Sequence, residues 1–313
     1  MEQQEKIYNS ELTQLREYKV VKSNELIQKS RFNLSTQEQK IVLYLISKIK
    51  PEDTELHEYE FSIVEFCKIC GIDYENGKNY GNIKRTIKEL NDKSIWVTLE
   101  DGTETTIRWI ERPYINRNSG IIKIKLDELM KPYLLQLQQQ FTQYELIYTL
   151  PMKSQYAIRF YELLKSYEWR RQIELEIEDI KRALHAEHYA RFYDFKRKVL
   201  EVAMREIDKY SDLNVDYTQK KTGKQFTSIV FRISSKKDMM ERFVTWQNII
   251  SQISPQKTAR VANEATDLGN DLDNEEETEY FSVIPSKLNG IFEILQKTIS
   301  FSQKMEYNTI ERR

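Results

Sequence analysis

Arg191-Phe192-Tyr193-Asp194-Phe195-Lys196-Arg197-Lys198-Val199-Leu200-Glu201-Val202-Ala203-Met204-Arg205-Glu206-Ile207-Asp208 is the stretch on which the reading of this chain turns. At a helical period Phe195, Val199, Val202, Ala203 and Ile207 share one side. Asp194, Arg197, Glu201 and Arg205 share the opposite one, and Lys196 and Lys198 lie on its flanks. The pattern predicts a helix with one apolar and one basic face. Beyond it, Leu213 to Tyr217 and Phe226 to Ile233 alternate as paired strands do, and Lys220-Lys221-Thr222-Gly223-Lys224 reads as a turn carrying three lysines.

A helix followed by a basic-tipped hairpin is the outline of a winged helix, whose helix can enter a major groove while the wing lies along phosphates. Arg197 has the donors for two bonds to a guanine edge. Asp194 can accept from a cytosine amino group or orient a neighbouring arginine, and Lys196 and Lys198 suit flanking phosphates. Arg191, just ahead of the helix, can reach either. Charged outer faces are the rule on helices, so this reading needs support from the rest of the chain.

That support is an internal repeat. Ser35-Thr36-Gln37-Glu38 has capping-box spacing and opens a helix with Ile41, Val42, Leu45, Ile46 and Ile49 as its stripe. A later helix follows Leu150-Pro151 and runs through Tyr156, Phe160, Leu163 and Leu164 to about Trp169. Tyr59 to Phe66 then matches Ile173 to Ile180, in alternation and in the helix each opens. Ile83-Lys84-Arg85-Thr86-Ile87-Lys88 echoes Phe195-Lys196-Arg197-Lys198-Val199, with Asn82, Lys84, Arg85 and Lys88 facing outward. Strands at 95–100 and 105–110 flank Asp101-Gly102, a hairpin signal, but Glu100, Asp101 and Glu104 make this first wing acidic and a poorer phosphate contact.

The predicted fold is therefore α+β, with two tandem winged-helix domains over 1–149 and 150–238 and an acidic, partly disordered tail over 239–313. Additions to the first domain are an edge strand at Lys19 to Lys22, a short helix from Asn24 to Lys29, a strand at Ile121 to Lys125, and a helical run from Asp127 to Gln140 kinked at Pro132. In the tail, Ser254 to Glu279 has the composition of a disordered linker. Leu288, Ile291, Phe292, Leu295, Ile299 and Met305 then return to helical spacing.

Composition narrows the function. The net charge of −1 hides a split: Pro151 to Asp238 carries 19 Lys/Arg against 14 Asp/Glu, whereas Glu241 to Arg313 carries 8 against 12. No apolar run approaches a membrane span and the N-terminus lacks a secretory core, so the cytoplasm is expected. Cys67 and Cys70 form a single CxxC, half a zinc site at best, and His185 and His188 lie over a hundred residues away without finger spacing, so no metal is expected. A His-hydrophobic-His triplet for a nicking tyrosine is absent, as is a Gly-rich phosphate loop. The expectation is a protein that is not an enzyme and carries no cofactor.

Several stretches resemble the iteron-binding plasmid replication initiators of the RepA/RepE/pi type, over about Tyr18 to Asp238. They are Asp194-Phe195-Lys196-Arg197-Lys198-Val199-Leu200 with Glu206-Ile207, the wing Lys220-Lys221 and Gly223-Lys224, and Phe141-Thr142-Gln143-Tyr144. Ser154, Tyr156 and Arg159-Phe160-Tyr161-Glu162-Leu163-Leu164 add to them, as do Ser23-Asn24, Leu26, and Leu34-Ser35 with Glu38-Gln39-Lys40. The resemblance implies binding of repeated double-stranded origin DNA, recruitment of host helicase or origin-binding initiator for theta-type replication, and a monomer–dimer equilibrium in which the dimer represses its own gene. It places the major-groove contacts on Arg191, Asp194, Lys196, Arg197 and Lys198, with Lys220, Lys221 and Lys224 on the wing and Lys84, Arg85 and Lys88 in the first domain. A plain winged-helix repressor and a rolling-circle nicking enzyme are the alternatives.

Overall fold

Lys19–Ser23 forms β1, and its partner is β7, Phe141–Glu145, far along the chain, with Val20 opposite Tyr144. The computed structural model describes residues 18–70, 78–98, 101–116 and 118–253. The linker and terminal helix expected within 254–313 lie outside them. After β1 come α1 (Asn24–Gln28), α2 (Thr36–Ser47), β2 (Glu58–Ser62), α3 (Ile63–Cys70), α4 (Lys78–Asp92) and the hairpin β3 (Ser94–Thr98) and β4 (Glu104–Arg108). The α2 N-terminus carries the capping box its sequence predicts: Ser35 Oγ accepts from the Glu38 amide at 3.4 Å, and the Ser35 amide donates to Glu38 Oε2 at 2.6 Å.

The second copy runs α6 (Gln155–Ser166), β8 (Gln172–Glu176), α7 (Ile177–Ala183), a long helix over 192–210, and the hairpin β9 (Leu213–Thr222) and β10 (Gln225–Ser235). The repeat holds in register, since β2 with α3 begins at 58 and 63 and β8 with α7 at 172 and 177. Two tandem winged helices result. Their sheets differ, however. In the second, β8 pairs with the wing strand β10, giving the order β8-β10-β9. In the first, β2 instead pairs with β6 (Ile121–Lys125), which also pairs with β5 (Tyr114–Asn116), so β3 and β4 stand apart as a two-stranded ribbon.

Two segments depart from the sequence expectation. The helical run predicted to Gln140 ends at Leu134: a 3₁₀ turn (Glu128–Met130) leads into α5 (Lys131–Leu134), and Pro132 sits in its first turn, where a missing N–H costs no hydrogen bond. Gln136 and Gln140 then adopt positive φ, which a helix excludes. Residues 239–253, left without an element by sequence reading, form α10 (Met239–Ile253). Ile249 is buried, Asn248 reaches the Lys209 carbonyl, and Lys236 Nζ bridges Thr245 Oγ1 at 3.0 Å and the Asp208 carbonyl.

A buried charged network joins β1 and β7 to α6. Lys22 Nζ on β1 donates to Glu162 Oε1 on α6 at 2.6 Å, both side chains 2% exposed, and Tyr144 Oη on β7 donates to the same oxygen at 2.7 Å. Arg159 Nη1 lies 3.5 Å from Glu162 Oε2, its Nη2 donates to the carbonyls of Ile27, Ser30 and Ala183, and its guanidinium stacks 4.1 Å over the Phe32 ring. Gln39 adds a bond from α2 to the Gln155 carbonyl, and Glu206 accepts from the amides of Lys153 and Ser154, which head α6. Burial pushes the Glu162 carboxyl up, but Lys22 and Arg159 together outweigh it and hold it below its ordinary 4.5.

Replacing Glu162 with Gln leaves two buried cations without their counter-charge, so Glu162→Gln should destabilise the fold by about 3–5 kcal/mol in urea unfolding at neutral pH. A loss under about 1 kcal/mol would remove the network from the junction. Because the folded carboxyl is held down, its stabilisation is present above the unfolded value and lost as pH falls through the folded one. The wild-type urea midpoint should therefore fall faster below pH 4.5 than that of Glu162→Gln.

Candidate nucleic-acid interface

Helical backbone runs unbroken from 192 to 210, yet it is not one regular α-helix. α8 (Phe192–Phe195) passes into a π turn (Lys196–Leu200) and then α9 (Glu201–Tyr210). The i→i+5 spacing widens that turn, so the regular period used on the sequence slips by a residue. Phe195, Val199, Leu200, Ala203 and Ile207 are all buried, whereas Val202, placed inward by that period, is half-buried.

On the outer face the charged residues divide by partner. Arg191 Nε donates to Asp194 Oδ2 at 2.8 Å; the Arg191 side chain stays 81% exposed while Asp194 is only 20% exposed, turned to its arginine rather than to solvent. Lys196 Nζ lies 3.7 Å from Glu201 Oε1. Arg197 and Lys198 are exposed, and among the described residues neither has a carboxylate partner. Instead, Arg197 lies 5.8 Å over the Tyr193 ring and Lys198 5.7 Å over the Tyr189 ring.

The wing is longer than its sequence suggested. β9 extends to Thr222, so Lys220 and Lys221 belong to the strand and only Gly223-Lys224 makes the turn, with Gly223 at φ +63°. A two-residue hairpin turn requires positive φ at its first position, which glycine adopts without a Cβ penalty. Lys220 is ion-paired to Glu174 of β8, and that bond, with one from Ser228, holds the Glu174 carboxyl below its ordinary value. Lys221 lies 4.5 Å over Phe226, and Lys224 is exposed at the tip. The Phe226 ring in turn packs 4.6 Å from Phe192, the first residue of α8. The wing is thereby fixed near its tip to the start of the basic helix, with a β-bulge between Phe226 and Ser228 turning the strand.

In the first copy α4 buries Ile83, Ile87 and Leu90, leaving Asn82, Lys84, Arg85 and Lys88 exposed as its spacing predicts. Arg85 bonds Asn82 and lies 3.8 Å from Glu89, and Lys88 pairs with Asp92 at 2.6 Å; Lys84 has no carboxylate partner among the described residues. Asp101 and Glu104 are exposed on the first wing, and Glu100 lies outside the described residues. Cys67 is buried in α3, the Cys70 side chain is outside the described set, and His185 is exposed in a left-handed backbone position. Among the described residues no group of His, Cys, Asp or Glu is arranged to hold a metal ion, and no helix is long and apolar enough to cross a membrane.

The sequence alone assigns no role to Tyr189 or Tyr193, and it does not show the Phe192–Phe226 contact. The i,i+4 spacing of Tyr193 and Arg197 was a legible signal. The contact between phenylalanines 34 positions apart was not.

Residues 19–165 match the pattern of the initiator replication protein first winged-helix domain, WH1, and residues 176–233 that of the initiator Rep protein second winged-helix domain, WH2. A solved structure of domains 2 and 3 of RctB is similar at 11% identity, over 67% of this chain and 86% of that one, with a TM-score of 0.40. With both patterns laid along two tandem winged helices, and together spanning more than half of the sequence, the chain belongs to the initiator Rep protein family.

Proposed function

We propose that this protein initiates theta-type plasmid replication by binding repeated sites, iterons, in double-stranded origin DNA and recruiting host replication proteins, without covalent chemistry of its own. One observation carries the reading of the site. Arg197 and Lys198 stand exposed with no carboxylate among the described residues to neutralise them, on a helix whose start is fixed to a wing bearing Lys221 and Lys224. Such cations can exchange condensed counterions for phosphates and, in a major groove, donate to guanine edges.

The roles follow from the partners. Arg197 reads a base edge, while Lys198, Lys221 and Lys224 hold phosphates. Arg191, preset by Asp194, and Lys196, shared with Glu201, add contacts beside them, as Lys220 does once it leaves Glu174. On α4, Lys84 leads, and Arg85 and Lys88 exchange their i+4 carboxylates for DNA. Binding by both copies spreads contacts along the duplex and supports local bending or opening, which host helicase and polymerase then use. Dimers that repress the protein's own gene complete the reading.

Arg197→Ala should cost about 1–3 kcal/mol on a repeat located by footprinting beside the protein's own gene, and far less on random duplex. Equal losses on both would reduce Arg197 to a phosphate contact. Lys221→Ala combined with Lys224→Ala should weaken binding to every duplex and lower the slope of log K against log salt by about 0.9 for each phosphate no longer neutralised. An unchanged slope would take the wing off the DNA.

A further inference from the structure

We infer that Tyr193 is a positioning residue for Arg197, a role that rests on the DNA-binding reading above. A single exposed tyrosine is ordinary on a protein surface. What distinguishes Tyr193, 67% exposed, is its neighbour: the Arg197 guanidinium lies 5.8 Å over its ring, one helical turn on. The alternative anchor for an arginine on this face is a carboxylate, and the same helix shows what that does. Asp194 holds Arg191 at 2.8 Å and Glu201 lies by Lys196 at 3.7 Å, in each case offsetting the charge it fixes. An aromatic face restrains a cation without a formal negative charge, so it neither cancels the attraction to DNA nor repels a phosphate.

The same kind of contact recurs nearby. Lys198 lies over Tyr189 and Lys221 over Phe226, so three cations of this interface that have no carboxylate partner among the described residues each have a ring. Lys224, at the wing tip, and Arg205, exposed on the helix, have neither carboxylate nor ring partner there. Tyr193 is the case where the cation is the base reader. A guanidinium restrained before binding loses less rotamer freedom on docking, which favours the geometry of two parallel bonds to guanine.

The test measures the full-length protein on the footprinted repeat and on random duplex, with wild type, Tyr193→Leu, Tyr193→Phe, Arg197→Ala and the double variant Tyr193→Leu/Arg197→Ala. Tyr193→Leu should lose about two- to fivefold in preference for the repeat, with random-duplex affinity and salt slope unchanged. Tyr193→Phe, which keeps the ring, should restore the preference. In the Arg197→Ala background Tyr193→Leu should change nothing further, because its effect passes through Arg197. Full additivity of the two losses, no loss in Tyr193→Leu, or equal losses on both duplexes would each overturn the inference. If wild type itself shows no preference for the repeat, it is the DNA-reading proposal that fails instead.

Discussion

Glu162 is the point on which the seating of α6 against β1 and β7 depends. Its carboxylate accepts from Lys22 on β1 and Tyr144 on β7 and faces Arg159, so one buried anion ties the β1–β7 strand pair to α6. A buried ion pair is weak evidence of net stability, because desolvation consumes most of the Coulombic gain. Its effect here is geometric: any rearrangement that separates β1 from α6 leaves charges buried without partners. Arg159 sharpens this by bonding three backbone carbonyls, two of them in the 27–30 segment and one at the end of α7.

From that junction the elements proposed to face DNA follow by ordinary packing. Glu206 caps the amides that head α6, so the basic helix is tied to the same helix that carries Glu162. The inner face of the 192–210 helix is closed by Phe195, Val199, Leu200, Ala203 and Ile207, which leaves Arg197 and Lys198 no orientation but outward. Phe192 against Phe226 then sets the wing beside the helix start.

Much of this was legible in the sequence because it is local. The capping box at Ser35, the alternation of residues 58–62 and 172–176, and the i,i+4 stripes of Ile83 and Ile87 each depend on near neighbours, and each formed. The misses share a cause. The π turn at Lys196–Leu200 alters a period that sequence reading must assume constant, and Pro132 fits a helix start as well as a kink. The pairing of β2 with β6 and of Lys220 with Glu174 depends on which alternative partner wins in space, whereas Asp194 does orient Arg191, one of the two roles its position offered. For the candidate site, residue identities were therefore visible, but not which cations keep an uncompensated charge.

Base reading by the 192–210 helix is proposed to start replication. Its most direct measurement is maintenance of a DNA fragment carrying the flank of the protein's own gene, in a host that supplies the protein in trans. The fragment should persist with the wild-type protein and be lost with Arg197→Ala expressed to the same level. Persistence at wild-type copy number with Arg197→Ala, or loss with a wild-type protein that still footprints the fragment, would contradict it.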